Sequence, residues 1–176
     1  FVTLGVVGQI KTGKSTLLNA LFFDGEEVLP TAVTPETARL TIIGYSPERR
    51  RFAKVHFYTS EDWKEIKEKS PKIYQDAKKK LGDEVEEYID REPLTVSLGD
   101  LREFVAAEGR YSDVVKYTEV FLPDEKIEGV RIVDTPGLND PVESRSSITR
   151  EYLRDCDAVL FLSHPKKFLD RHDLLL

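Results

Sequence analysis

The chain has 176 residues, 40% hydrophobic and 33% charged, with a formal net charge of −6, a composition that supports one globular domain with a sizeable core. An acidic surface argues against nucleic-acid partners, which need basic patches. The single cysteine, Cys156, excludes an internal disulfide framework and fits a reducing, cytoplasmic setting, and no apolar run approaches the roughly 20 residues of a membrane span.

The chain opens at Phe1 inside an apolar run and contains no methionine, which reads as a piece of a longer protein. Residues 1–8 (FVTLGVVG) are apolar, rich in valine and closed by glycine, the pattern of a buried parallel strand. Residues 14–23 (KSTLLNALFF) put Leu17, Leu18, Leu21 and Phe22 at helical spacing and predict a helix with that stripe inward, Asn19 supporting the preceding loop. Residues 27–38 (EVLPTAVTPETA) carry Pro30, Pro35 and the threonines Thr31, Thr34 and Thr37, and read as a loop. Residues 39–45 and 52–58 read as strands joined by the turn SPERR, with charges in the second strand predicting one face open to water.

Residues 59–114 hold too much structure for a loop. A helix is predicted from Ser60, with Glu61 and Asp62 at its start. A longer one is predicted over 71–90, with Pro71 in its first turn and Gly82 as a breaker. A third is predicted over 98–109, with Gly99 or Asp100 at its cap. Together these form a helical insertion over about 59–114. The run KKK at 78–80 reads as a solvated face, and Trp63 and the nearby tyrosines as packing residues. Strands follow at 114–123 and 129–134. A helix over 142–156 puts Ile148, Tyr152 and Leu153 on one face. A buried strand lies at 157–163, with Cys156 beside it as a core residue, and a further helix begins in the last residues. His56, His164 and His172 lack metal-site spacing. With no repeat and no flexible linker, the order predicts an α/β domain with a mostly parallel sheet and helices on both faces.

Gly8, Gly13, Lys14 and Ser15 fit G-x-x-x-x-G-K-[ST] between a strand and a helix, the pattern of a phosphate-binding P-loop. Glycines let backbone N–H groups, here those of Gln9, Ile10, Lys11, Thr12 and Thr16 as well, close on phosphate oxygens. The helix that follows offers its positive end to the anion. Lys14 supplies a full charge at the β- and γ-phosphates, and Ser15 a hydroxyl for Mg²⁺. In RIVDTPG (131–137) an apolar strand ends at Asp134, where a carboxylate would steady hydrated Mg²⁺, and Gly137 lets its N–H approach a γ-phosphate.

The stretches GQIKTGKSTLLNALF, LPTAVTPETA and VDTPGLNDPVESRSSITREYLRDCDAVLFL together resemble the GTPase domain of the dynamin superfamily, in particular its bacterial dynamin-like members. The likeness runs over 1–45 and 115–176 and is looser over the insertion. The resemblance implies a P-loop GTPase-type fold over 1–176, with the C-terminal part of the domain missing. It also implies binding and hydrolysis of GTP to GDP with Mg²⁺ held by Ser15, Thr37 and Asp134, and self-association across the nucleotide face. Membrane lipid would be engaged through regions outside this stretch, so that the full protein is cytoplasmic and peripheral at a membrane. Of the loop threonines Thr37 aligns best with the family's switch I, and Thr34 is second. Switch II would cover about 137–147, with Leu138 where Ras-like proteins carry a water-orienting glutamine. The guanine-reading [NT]-K-x-D is absent; SHPKKFLD (163–170) does not replace it, and the family places the motif beyond the next strand, so the purine preference is implied by resemblance alone. The alternatives are an Era-like ribosome-associated GTPase, a nucleotide-gated binding module with little turnover, and a P-loop ATPase.

Lys11 is not required by the phosphate-binding pattern. Guanylate-binding members of the superfamily resemble this loop but place an arginine there that acts as a finger in cis. Lys11 is therefore either a catalytic charge beside Lys14 and Thr37 or a solvated lysine that raises the local potential.

Overall fold

In the computed structural model, residues 1–8, 13–22, 24–25, 39–106, 108–135 and 143–163 are described. Valine- and isoleucine-rich runs make seven strands: β1 (Val2–Gly8), β2 (Leu40–Tyr45), β3 (Phe52–Phe57), β4 (Leu94–Val96), β5 (Val115–Leu122), β6 (Val130–Asp134) and β7 (Ala158–Leu162). They form one sheet in the order β4-β3-β5-β2-β6-β1-β7. β1 runs parallel to both neighbours, and β2 runs parallel to β5. The β2–β6, β3–β5 and β3–β4 pairs are antiparallel. Five helices accompany the sheet: α1 (Lys14–Phe22), α2 (Ser60–Lys69), α3 (Pro71–Leu81), the single turn α4 (Arg102–Val105) and α5 (Glu143–Arg154).

Helices cover both faces, as the α/β reading expects. Leu18 of α1 is fully buried against Val6, Ile43 and Ile132 on one face. On the other, Leu153 and Cys156 crowd Gly5, and Tyr152 meets Tyr117 edge-on. The stripe expected on α1 is narrower than its spacing suggests, because Leu21 is 56% exposed while the polar Asn19 is buried.

The two strand pairs that look adjacent in sequence are not adjacent in space. β5 lies between β2 and β3, and β2 lies between β5 and β6, so neither 46–50 nor 124–128 closes a hairpin. β3 shows the predicted alternation, but its outward side is half-covered rather than open. Phe52 stacks on Phe121, and His56 stacks on Tyr117 and contacts Glu119 at 2.7 Å. β7, expected to be buried, is the edge strand, with Val159 half exposed.

Residues 59–114 start as the sequence predicts. Thr59 and Asp62 form a reciprocal capping box on α2, Thr59 Oγ1 accepting from the Asp62 N–H and the Asp62 carboxylate from the Thr59 N–H. Asp62 also receives Lys116 from β5 at 2.9 Å. α3 ends at Gly82, whose φ of 59° terminates the helix. Trp63, Ile66, Ile73, Ala77 and Leu81 pack into the same cluster as Val55, Phe57 and Val115 of the sheet.

The third predicted helix is only the turn α4. At Gly109 the chain doubles back so tightly that a Cβ would lie 2.5 Å from the Glu103 carbonyl oxygen, which stops the helix. Upstream, Thr95 and Val96 use their β-branched shape to pair with β3 as β4. The lysine run is also more than a solvated face, since Lys80 binds Asp113 at 2.7 Å. The helix expected in the last residues lies outside the described residues.

Candidate functional site

The phosphate-site motifs converge at one end of the sheet. β1 ends at Gly8 and β6 at Asp134, two parallel neighbours with Val6 in register with Asp134. Ligands of α/β sheets bind at such carboxyl ends of strands. Thr135 locks the end of β6 to β1: its N–H and its buried hydroxyl both donate to the Val6 carbonyl, at 3.2 and 2.8 Å. Across β6, Thr41 of β2 faces Asp134.

α1 starts directly after Gly13, whose φ of 82° is left-handed and whose carbonyl accepts the first helical N–H, from Leu17, at 2.8 Å. No acidic side chain occupies the first turn of α1, so its positive end is not neutralised locally. Lys14 folds back and donates from Nζ to the Gly8 carbonyl at 3.0 Å. Burial lowers the Lys14 pKa, opposed by the charge of Asp134. Asp134 shows the reverse: burial pushes it up to about 6, and Lys14 opposes the rise. Part of Asp134 reaches solvent, but its Oδ1 is buried and has no hydrogen-bond partner among the described residues.

A buried carboxylate oxygen beside a desolvated ammonium and the N-terminus of α1 fits a hydrated cation carried in with phosphates. Among the described residues no group of three or more His, Cys, Asp and Glu side chains could hold a metal by itself. A cation here would therefore share its ligands with an anion and keep its waters, as Mg²⁺ does at phosphate sites. The structure brings Gly8, Gly13, Lys14 and Asp134 together and puts Ser15 and Thr16 in the first turn of α1, Thr16 exposed. Gln9, Ile10, Lys11, Thr12, Thr34, Thr37, Gly137 and Leu138 lie outside the described residues. Sequence reasoning passed over Thr135; its place directly after Asp134 at a strand end was the available signal.

The dynamin family model matches residues 4–175. Dynamin-like protein 1 of Campylobacter jejuni is 34% identical over 97% of this chain and 24% of its own length. The bacterial dynamin-like protein of Nostoc punctiforme is 33% identical over 89% of this chain and 19% of its own length. A solved structure described as an oligomerised bacterial dynamin pair, with a mechanism for long-range sensing and tethering of membranes, superposes with a TM-score of 0.76. It is 31% identical and covers 98% of this chain and 29% of that one. The chain thus spans about a quarter or less of the length of these curated relatives. The dynamin model covers nearly the whole length, and this chain belongs to the dynamin family.

Proposed function

We propose that residues 1–176 are part of a GTPase domain, with an insertion over about 59–114, and that the whole protein binds GTP with Mg²⁺ and hydrolyses it. The observation that carries this reading is the pairing of Lys14, drawn back onto the Gly8 carbonyl, with the buried Oδ1 of Asp134, unpartnered among the described residues. Lys14 and the N-terminus of α1 bind the β- and γ-phosphates. Asp134, with the Ser15 hydroxyl and Thr37, would hold the cation. Mg²⁺, when bound, neutralises charge on the phosphate oxygens. Desolvation of Lys14 and Asp134 strengthens each charge contact. Water adds to the γ-phosphorus, the bond to the bridging oxygen breaks, and GDP and phosphate leave. Leu138 cannot orient that water, so that role falls to Thr37 and the switch I backbone, while Lys11 would stabilise the charge that develops on the leaving oxygen.

The family relation supports guanine as the base and self-association across the nucleotide face. The relative described as a membrane-tethering pair supports a peripheral place at membranes for the whole protein. No helix among the described residues is long and apolar enough to cross a membrane, and lipid contact would come from other parts of the protein. Phosphate release by the full-length protein with GTP and with ATP tests the reading. Turnover of GTP that rises on liposomes is expected; equal turnover of ATP, or none with either nucleotide, refutes it.

A further inference from the structure

Outside the phosphate site, the described residues bury one cluster of charge, at the point where β2 begins. Arg39 precedes β2, and its side chain is only 4% exposed. Its guanidinium donates to the Ser112 carbonyl and lies 3.6 Å from Asp113. Asp113 is held from its other side by Lys80 of α3 at 2.7 Å. Lys80 also donates to the Ser112 hydroxyl at 2.9 Å and the Gly109 carbonyl at 3.2 Å, and the Ser112 hydroxyl donates to the same carbonyl at 3.0 Å. Two cations thus meet one carboxylate, with Arg39 buried and Lys80 partly exposed.

Such a cluster is a poor source of stability, because stripping water from three charges offsets most of their attraction, and apolar replacements often serve as well. What it supplies is a fixed position, and the position matters. Arg39 stands two residues before Thr41, the residue that faces Asp134 across the β2–β6 pair, roughly 7 Å along an extended strand. It is also the residue at which the threonine-bearing segment 31–37 rejoins the described structure.

We infer that Arg39 is a positioning residue for nucleotide turnover, and that the Ser112 carbonyl and the Asp113 carboxylate are its seat. The inference rests on the proposed GTPase reading. The planar fork of arginine fixes both the distance and the direction of the β2 root, whereas lysine keeps the charge and loses the fork. Misplacement of catalytic groups by about 1 Å can lower a rate by about 100-fold.

The test uses the full-length protein with Arg39→Lys and Lys80→Met, two variants that each weaken the same cluster. Thermal midpoints are expected to fall alike. Arg39→Lys is expected to lower kcat by about 10- to 100-fold while KM and GDP affinity stay within about threefold. It is also expected to speed amide hydrogen exchange over residues 40–45 of β2 in the nucleotide-free protein. Lys80→Met, which leaves the Ser112 carbonyl in reach of Arg39, is expected to keep kcat within about threefold of wild type. An unchanged kcat in Arg39→Lys overturns the inference, as does a kcat that falls equally in both variants in step with their midpoints. If wild-type protein releases no phosphate from GTP, the GTPase reading itself has failed. The exchange arm then decides alone, and wild-type exchange over 40–45 in Arg39→Lys overturns the inference.

Discussion

Gly109→Ala puts a methyl group where the chain has no room. The new Cβ would lie 2.5 Å from the Glu103 carbonyl oxygen and 2.8 Å from both the Arg102 carbonyl oxygen and the Glu103 carbonyl carbon. All three are backbone atoms, so no rotamer change relieves the clash. A carbon–oxygen contact needs about 3.3 Å or more, so the corner must move by roughly 0.8 Å. That shift breaks or bends the bonds from the Tyr111 N–H to Glu103 (3.0 Å) and from the Gly109 N–H to Ala106 (2.9 Å). Two hydrogen bonds at about 1 kcal/mol each, or overpacking at about 1–3 kcal/mol, give a local loss of about 2–3 kcal/mol. Opening of the 101–114 segment becomes roughly 30- to 150-fold more frequent. Hydrogen exchange of the full-length protein reads this directly. Gly99→Ala is the control, since its Cβ would come no closer than 3.6 Å, to the Ser97 hydroxyl, and protection there is expected to stay within a fewfold. Wild-type protection in Gly109→Ala would refute the steric argument.

Lys14→Ala is expected to abolish GTP binding by the full-length protein, because the ammonium drawn onto Gly8 is the only full charge the phosphate motif requires; calorimetry showing retained affinity would count against it. Lys11→Ala is expected to leave GTP affinity within a fewfold but slow single-turnover hydrolysis by roughly 10- to 100-fold, about 1.4–2.7 kcal/mol of barrier; an unchanged chemical rate would return Lys11 to a solvated lysine. Asp134 makes a pH prediction with a definite sign. With its pKa raised from 3.8 to about 6, the folded, nucleotide-free protein holds this proton more tightly than the unfolded chain, so stability is lost as pH rises from about 4 to about 6, by up to about 3 kcal/mol. Thermal melts comparing wild type with Asp134→Asn isolate the effect, and parallel curves would show that the carboxylate is not desolvated. Thr59→Ala removes the α2 capping box and is expected to cost about 1 kcal/mol, read as faster exchange over 60–69 with no change over 1–8.

The candidate phosphate site could be proposed from the sequence because its chemistry is local. Gly8, Gly13, Lys14 and Asp134 each end or begin an element whose periodicity is plain, and a parallel β1–β6 pair brings them together. The strand order was not legible, since the turns at 46–50 and 124–128 look like hairpins and only β5 and β2, threading between their neighbours, decide otherwise. Lys80 read as one of three solvated lysines because its partner, Asp113, is 33 residues away in sequence. The predicted helix over 98–109 failed for a similar reason. Propensity favoured it, but the tight return at Gly109 and the open edge of β3 are tertiary facts. Arg39 carried no signal at all, an arginine beside a strand being ordinary until its burial is seen.

The threading of β5 and β2 also governs how the chain can acquire its structure. β1 pairs first with β6, Val2 with Val130, and β2 pairs first with β5, Leu40 with Tyr117. Neither has a strand partner among the residues synthesised in the next seventy. Among the described residues the first sheet contact available to a growing chain is β3 with β4, Val55 with Leu94, made while β1 and β2 still lack the partners that β5 and β6 supply. Loop closure of that length is slow and leaves unpaired edges open to wrong partners. The segment that looks like an addition to the fold thus meets a strand of the sheet before the end of β1 gains β6 as its second wall.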